Sequence, residues 1–260
     1  MSVVLGPGIS ASARLDRLLD LLATEGMISS RHAAQQLGCS LETIRKDLLT
    51  LEHQGLLRRA HGGALPSIPL AEEMPITQRT SNTQEKKNIA QAALMELVEG
   101  STIFLESGST THQVASLLPE NWALTVVTNS LPIATTLLAA PRVTTHLVGG
   151  AVRAVTQSTA GFWALRELGD THVDIALLGT NAISESGVLS TPDSEEAALK
   201  AAALGIAART IVLADHSKFR QRAVFQYGTL EDADVLITDA ASQDVLESIS
   251  SHQPRTIRYA

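Results

Sequence analysis

Residues 39–63 read CSLETIRKDLLTLEHQGLLRRAHGG, and their spacing decides how the first part of the chain folds. Leu41, Ile44, Leu48 and Leu51 recur at helical intervals on one stripe, whereas Thr43, Arg45, Lys46 and Thr50 fall elsewhere. Ser40 stands where an N-cap is wanted, because its hydroxyl can accept from a backbone N–H that the first helical turn leaves unpaired. After Gly55 the stretch LLRRAHGGAL predicts two short strands about a Gly-Gly turn, since paired glycines take the positive φ of tight hairpins.

Working towards the N-terminus, SSRHAAQQLG predicts a short helix capped by Ser29 or Ser30 and ended by Gly38. Before it, SARLDRLLDLLATEG predicts a first helix with Leu15, Leu18, Leu19 and Leu22 inward, Ser12 as cap and Gly26 as stop. Two helices joined by a tight Gly-containing turn, the second with polar and basic residues outward, form a helix-turn-helix, and the hairpin supplies a wing. The outward residues Ser40, Thr43, Arg45 and Lys46 suit the major groove of DNA. Arg58, Arg59, His61 and Gly62 suit flanking phosphates or the minor groove.

Charge supports confining such a contact to this region. Residues 1–63 carry seven Lys and Arg against six Asp and Glu, while the remaining 197 carry thirteen against twenty-one, for a net charge of -7. An acidic body repels a polyanion, so a local patch must make the contact. The single cysteine, Cys39, excludes an internal disulfide and a cysteine-based zinc finger. The eight histidines show no metal-ligand spacing, so neither a metal nor a cofactor is expected. The chain has no run near the roughly 18 apolar residues of a membrane helix, and MSVVLGPGIS lacks the basic start of a signal peptide, so the expected location is cytoplasmic.

Residues 1–66 are therefore read as a winged helix-turn-helix domain. Three prolines and scattered polar residues in ALPSIPLAEEMPITQRTSN, residues 64–82, make 67–83 a linker, and 84–260 a larger α/β domain. In that domain TIFLES, LTVVTN, VTTHLVGG, VDIALLG, TIVLAD and DVLITDA are strand-like, separated by helical patterns such as TTHQVASLL and SEEAALKAAALGIAA. Alternation of this kind predicts a Rossmann-like, mostly parallel sheet covered on both faces.

Ligands of such sheets sit beyond the carboxyl ends of strands, where helix N-termini also point. There ESGSTT places Glu106, Ser107, Gly108, Ser109, Thr110 and Thr111 as an anion cradle, most naturally for a phosphate. The later strand ends add Asn129, then Gly149, Gly150 and Arg153, then GTNA, then Asp215 and Lys218. Lys218 is expected to pair with phosphate, and Asp215 or Glu106 to accept from sugar hydroxyls. His216 is expected near the pocket, and Leu189–Ala197 over its mouth. An aldose-ketose isomerase would need a carboxylate base there, and TNAIS lacks an acidic pair. Binding without turnover is the expected role, with an isomerase-like enzyme carrying an accessory DNA-binding domain as the alternative.

With these residues in view, the chain resembles the DeoR family of bacterial transcriptional regulators over almost its whole length. The resemblance is carried by TIRKDLLTLEHQGLLRRAHGGA, TIFLESGSTT, LTVVTNSLPIA, LVGGAVR, IVLADHSKF and ITDA, in that order. It implies a winged helix-turn-helix on operator DNA and a sensor domain similar to ribose-phosphate isomerase. Such sensors bind phosphorylated sugars or related intermediates, which release the DNA. A repressor of a carbohydrate-metabolism operon, acting on double-stranded operator DNA as a homo-oligomer, is thus the expected function. The chain departs from the family at Glu106, where Asp is usual, and at Ala182-Ile183-Ser184, where a Gly-Ile-Asp type sequence is usual.

Overall fold

The computed structural model describes residues 10–25, 27–53, 57–60, 62–66, 74–249 and 252–260. The chain divides into two compact units, Met1–Pro69 and Leu70–Ala260. In the first, α1 (Ala11–Glu25) leads to β1 (Ile28–Ser29), α2 (Ser30–Leu37), α3 (Leu41–His53), β2 (Leu57–Ala60) and β3 (Gly63–Pro66). The helices bury Leu18, Leu22, Ala33, Leu37, Ile44, Leu48 and Leu51 against Ile28, Leu57 and Ala64. Each Leu or Ile among them contributes about 1.5–3 kcal/mol when taken out of water.

Capping differs in detail from the sequence reading. Ser10 accepts from the N–H of Ala13, at 3.3 Å, and position 12 falls inside α1; Ser29 precedes α2 without a side-chain cap bond. Ser40 does accept from the N–H of Thr43, at 3.0 Å, and Gly38 ends α2 at φ 63°. Gly26, Gly55 and His61 lie outside the described residues. Two features had no sequence signal. Strand β1 adds a third member to the wing sheet, in the order β1-β3-β2, and Arg14 of α1 pairs bidentately with the buried Asp47 of α3 at 2.5 and 3.0 Å.

In the second unit, α4 (Thr83–Leu94), β4 (Thr102–Leu105), α5 (Ser109–Leu117), β5 (Leu124–Thr128), α6 (Leu131–Leu137) and β6 (Val143–Leu147) come first. A hairpin of β7 (Ala151–Arg153) and β8 (Ser158–Ala160) follows, then α7 (Phe162–Gly169) and β9 (Val173–Gly179). Then come β10 (Ala182–Ile183), β11 (Val188–Thr191), α8 (Ser194–Ile206), β12 (Ala207–Leu213), β13 (Phe225–Thr229), β14 (Val235–Thr238), α9 (Gln243–Ser248) and β15 (Thr256–Tyr259). Seven strands form one sheet in the order β15-β14-β12-β9-β4-β5-β6, and every pair in it is parallel.

Both faces of the central strands are covered, which explains their unbroken apolar runs. Ile103 and Leu105 of β4 pack with Ile89 and Ala93 of α4 and with Val114 of α5. Phe104, between them, joins Ala164 and Leu168 of α7 and Leu199 and Ala203 of α8 on the opposite face. At the edge, β6 is largely exposed, in contrast to the expectation that each run is buried on both faces. Strand β15 and the small β10-β11-β13 sheet were not anticipated, being short and tied together by distant partners.

The segment expected as linker is partly built into the second unit. Residues 67–73 lie outside the described ones, but Ile76–Gln78 form a 3-10 turn. The N–H of Ile76 donates to the carbonyl of Val155 at 2.8 Å. Asn82, at φ 53°, donates through Nδ2 to Asp215 Oδ1 at 2.8 Å. These partners are more than 70 residues away, so local composition alone reads the segment as loop.

Candidate functional site

The strand order fixes where a site can form. From β4 the chain builds outward through β5 and β6, then returns to β9 on the other side, so β4 and β9 flank the topological switch point. Beyond the carboxyl ends of β4, β9 and β12 lies a cavity of about 230 Å3. That is smaller than the about 300–1,000 Å3 that accommodates drug-sized ligands, and suits a small metabolite.

Four cationic side chains line this cavity, Arg79, Lys86, Lys200 and Lys218, and no acidic side chain among the described residues does. Of the expected residues, Ser107, Gly108, Ser109, Thr110 and Lys218 line it, together with Gly179, Thr180 and Asn181 of the GTNA turn. Gly108 takes the N-cap position of α5 with extended backbone. A Cβ there would meet Thr111 Oγ1 at 3.0 Å, so the turn is tight as well as open to the cavity.

Three expected residues support the turn from behind. Asn129, 1% exposed, accepts the N–H of Ser107 at 2.9 Å and donates to the carbonyl of Thr159. The fully buried Thr111 donates through its hydroxyl to the carbonyl of Gly108 at 3.1 Å. Glu106, 2% exposed, accepts from Lys200 Nζ at 2.8 Å, from the Ser107 hydroxyl at 3.1 Å and from the N–H of Gly179 at 3.1 Å. Burial pushes the Glu106 carboxyl above the usual range, and the Lys200 ammonium and the Gly179 N–H pull against that rise. Asp215 is likewise buried behind the wall, where Ser217 and Asn82 bond its Oδ1. Burial opposes its charge, but the Ser217 hydroxyl, the nearby Lys218 and Asn82 hold it below the ordinary carboxylate value. Its Oδ2 is buried without a partner.

Gly149, Gly150 and Arg153 do not line the cavity. They follow β6, three strands from β9, a separation that only the strand order shows. Arg153 pairs instead with Glu196 at 2.5 Å and Asp193 at 3.1 Å, at the start of α8. The N–H of Gly149 donates to Glu167 Oε2 at 2.7 Å. Nor does Leu189–Ala197 cover the mouth. Leu189, Ser190 and Thr191 are buried in β11, and Asp193 caps α8. His216 turns to Asp239, with Nδ1 at 3.2 Å from both carboxylate oxygens. The departure at Ser184 also stays off the cavity, its hydroxyl accepting the N–H groups of Ser186 and Val188.

Arg79, Lys86 and Lys200 escaped the sequence reading. A signal existed for two of them. Lys86 shares the inward positions of Ile89, Ala90 and Ala93 on α4, and Lys200 those of Ala197 and Ala203 on α8. A lysine on the apolar stripe of a helix is out of place unless a partner waits for it.

In the first unit α3 presents Arg45 and Lys46 outward, Arg45 being 3.8 Å from Glu42 in an exposed pair. Arg58 and Arg59 are exposed on β2, whose Arg59 N–H donates to Glu52 of α3 at 2.9 Å and so fixes wing to helix. Ser40 Oγ lies 2.8 Å from Thr43 Oγ1, so this cap also orients a residue at the tip of α3. Between the start of α3 and the wing runs a groove lined by Arg31, Leu41, Arg45, Ala60 and Gly62.

Comparison with known proteins agrees with both halves. Residues 14–66 match the DeoR-like helix-turn-helix domain, and residues 81–240 the DeoR C terminal sensor domain. This chain belongs to the DeoR family and is a DNA-binding transcriptional regulator. It is 35% identical over 240 residues to the HTH-type transcriptional regulator GlpR of Haloferax volcanii, covering 90% of this chain and 94% of that one. It is 30% identical over 241 residues to the glycerol-3-phosphate regulon repressor of Escherichia coli, covering 92% and 95%. A solved ribose 5-phosphate isomerase A from Methanocaldococcus jannaschii matches 54% of this chain and 55% of its own, at 19% identity and TM-score 0.40.

Proposed function

We propose that this chain represses a carbohydrate-metabolism operon and is released from double-stranded operator DNA by a phosphorylated sugar. One observation carries the effector class: a cavity at the switch point lined by four cationic side chains and by no acidic one among the described residues. A phosphate dianion suits that field, and the hydroxyls of Ser107, Ser109 and Thr110 suit its oxygens. The relatives named above include a repressor of a glycerol-3-phosphate regulon, which fits an effector of this chemistry.

The DNA contact assigned to this chain uses Ser40, Thr43, Arg45 and Lys46 on α3, with Arg58, Arg59, His61 and Gly62 on the wing. The pocket is read as binding without turnover. Aldose-ketose exchange needs a free carboxylate base against the substrate, whereas Glu106 is held by Lys200 and neither it nor Asp215 lines the cavity. The effector acts by favouring the domain arrangement that disengages from the operator. The protein is proposed to do this in the cytoplasm as a homo-oligomer.

A thermal-shift screen of sugar phosphates, followed by an operator mobility shift, tests the reading. A ligand that binds only the folded state raises the melting temperature, and the same compound should then release the DNA. A panel of pentose, hexose and glycerol phosphates that neither shifts melting nor weakens the operator complex would refute it. Steady turnover of any of them would restore the enzyme.

A further inference from the structure

The cavity wall is not made by the sheet alone. Met74, Arg79 and Ser81 line it from the segment that precedes α4, the same stretch of chain by which the sensor continues back to the helix-turn-helix unit. Two cations tie this segment to the cavity. Lys86, 5% exposed, donates from Nζ to the carbonyls of Ser81 at 2.7 Å and Arg79 at 3.2 Å. An ammonium has three donors, so one is left for a ligand. Arg79 donates from Nε to the carbonyl of Met74 at 2.9 Å, and its Nη2 is buried with no partner at all.

A buried guanidinium nitrogen without an acceptor is costly, because that one N–H end has given up water with no bond in return. Lys86 is in a similar position. Its acceptors are neutral carbonyls, and burial drives its pKa down against the pull of Asp215. Both deficits are met at once by an anion in the cavity, which is also faced by the Ser107–Thr110 turn.

Resting on the effector reading above, we infer that Arg79 and Lys86 hold the phosphate of the effector together with the Gly108–Thr110 turn. The ligand thereby fastens the segment Met74–Asn82 onto the sensor domain. The segment is bound at both ends of its length even without ligand, by Ile76 to Val155 and by Asn82 to Asp215. Between them Arg79 supplies the one arm whose terminal nitrogen waits for a partner. Occupancy is then reported directly to the chain that leads to the DNA-binding unit, with no relay through the sheet.

The test uses the full-length protein and inorganic phosphate as probe. Calorimetric titration compares wild type with Arg79→Gln, Lys86→Met and Lys218→Ala, each checked for an unchanged circular dichroism spectrum. Arg79 is half-exposed, so Arg79→Gln leaves a folded protein even if Lys86→Met does not. Loss of a charge-assisted bond should weaken phosphate about tenfold or more in Arg79→Gln. Limited trypsin digestion, read by mass spectrometry for cleavage after Arg79, supplies the second arm. Phosphate should slow that cut in wild type relative to chloride of equal ionic strength, and Lys218→Ala should lose the protection with its affinity. If phosphate binds wild type, weakens in Lys218→Ala and stays at full affinity in Arg79→Gln, the inference fails while the effector pocket stands. Unaltered cleavage at saturating phosphate also overturns it. If wild type binds no phosphate, the inference falls, and the sugar-phosphate panel decides the effector reading separately.

Discussion

Glu106 and Lys200 form an ion pair that is almost completely buried, at 3% or less side-chain exposure on both sides. Such a pair adds little net stability, but removing one partner strands the other charge. Glu106→Gln should therefore cost about 3–5 kcal/mol by urea unfolding, and adding Lys200→Met should recover part of that loss. Asp215 gives a pH signature. Its folded pKa lies below the ordinary carboxylate value through its bonds to Ser217, the charge of Lys218 and its bond to Asn82, although burial opposes the shift. The stability this confers is complete above the unfolded pKa and drains as pH falls through the lowered folded one. Asp215→Asn should consequently lose less stability than wild type on going from about pH 5 to pH 2, measured by urea midpoints at each pH. At this scale the sequence was legible where residues act locally: Ser40 caps, Gly38 turns, and the 107–110 hydroxyls face a cavity. Arg153 was misplaced because nothing within several residues of it names Glu196 as its partner.

At the scale of elements, α3 and the wing act together, since Glu52 holds the Arg59 N–H and β1 clamps β3. Gly63 sits where that clamp closes, and a Cβ there would lie 1.8 Å from the Ile28 carbonyl oxygen. Gly63→Ala should then cost about 1–3 kcal/mol or more through the forced shift, seen as an earlier melting transition of the DNA-binding unit. On α3, Arg45→Ala should weaken specific operator binding by about 1–3 kcal/mol, with relaxed sequence preference. Lys46→Ala should instead weaken all sequences alike and reduce the salt slope by about one. A mobility-shift series across salt concentrations separates the two, and equal effects on specific and random DNA for both would remove Arg45 from base reading.

At the scale of the molecule, Phe162 and Trp163 stand 69% and 66% exposed at the start of α7, stacked edge to face at 5.5 Å. Large exposed aromatics of this kind favour a protein contact, and two DNA-binding heads on one operator gain through effective concentration. Light scattering after size exclusion should show an oligomer at micromolar concentration. Trp163→Glu should lower its mass, and with it the operator affinity, if α7 takes part. Retention of full mass by that variant would place the contact elsewhere.

What the sequence determined by itself is everything set by short-range periodicity. The helical stripe of α3, the glycine turn of the wing and the strand-helix alternation of the sensor are all written within windows of about ten to twenty residues, because backbone geometry repeats on that length. The tertiary structure alone decided which strand ends meet. With β9 returning beside β4, the ends of β4, β9 and β12 share the cavity and the end of β6 does not. It also brought Arg79 and Lys86, from one stretch, to the same wall as Lys200, more than 100 residues further along the chain. Strand order and the burial of charge depend on contacts between residues scores of positions apart, and no local pattern records such partners.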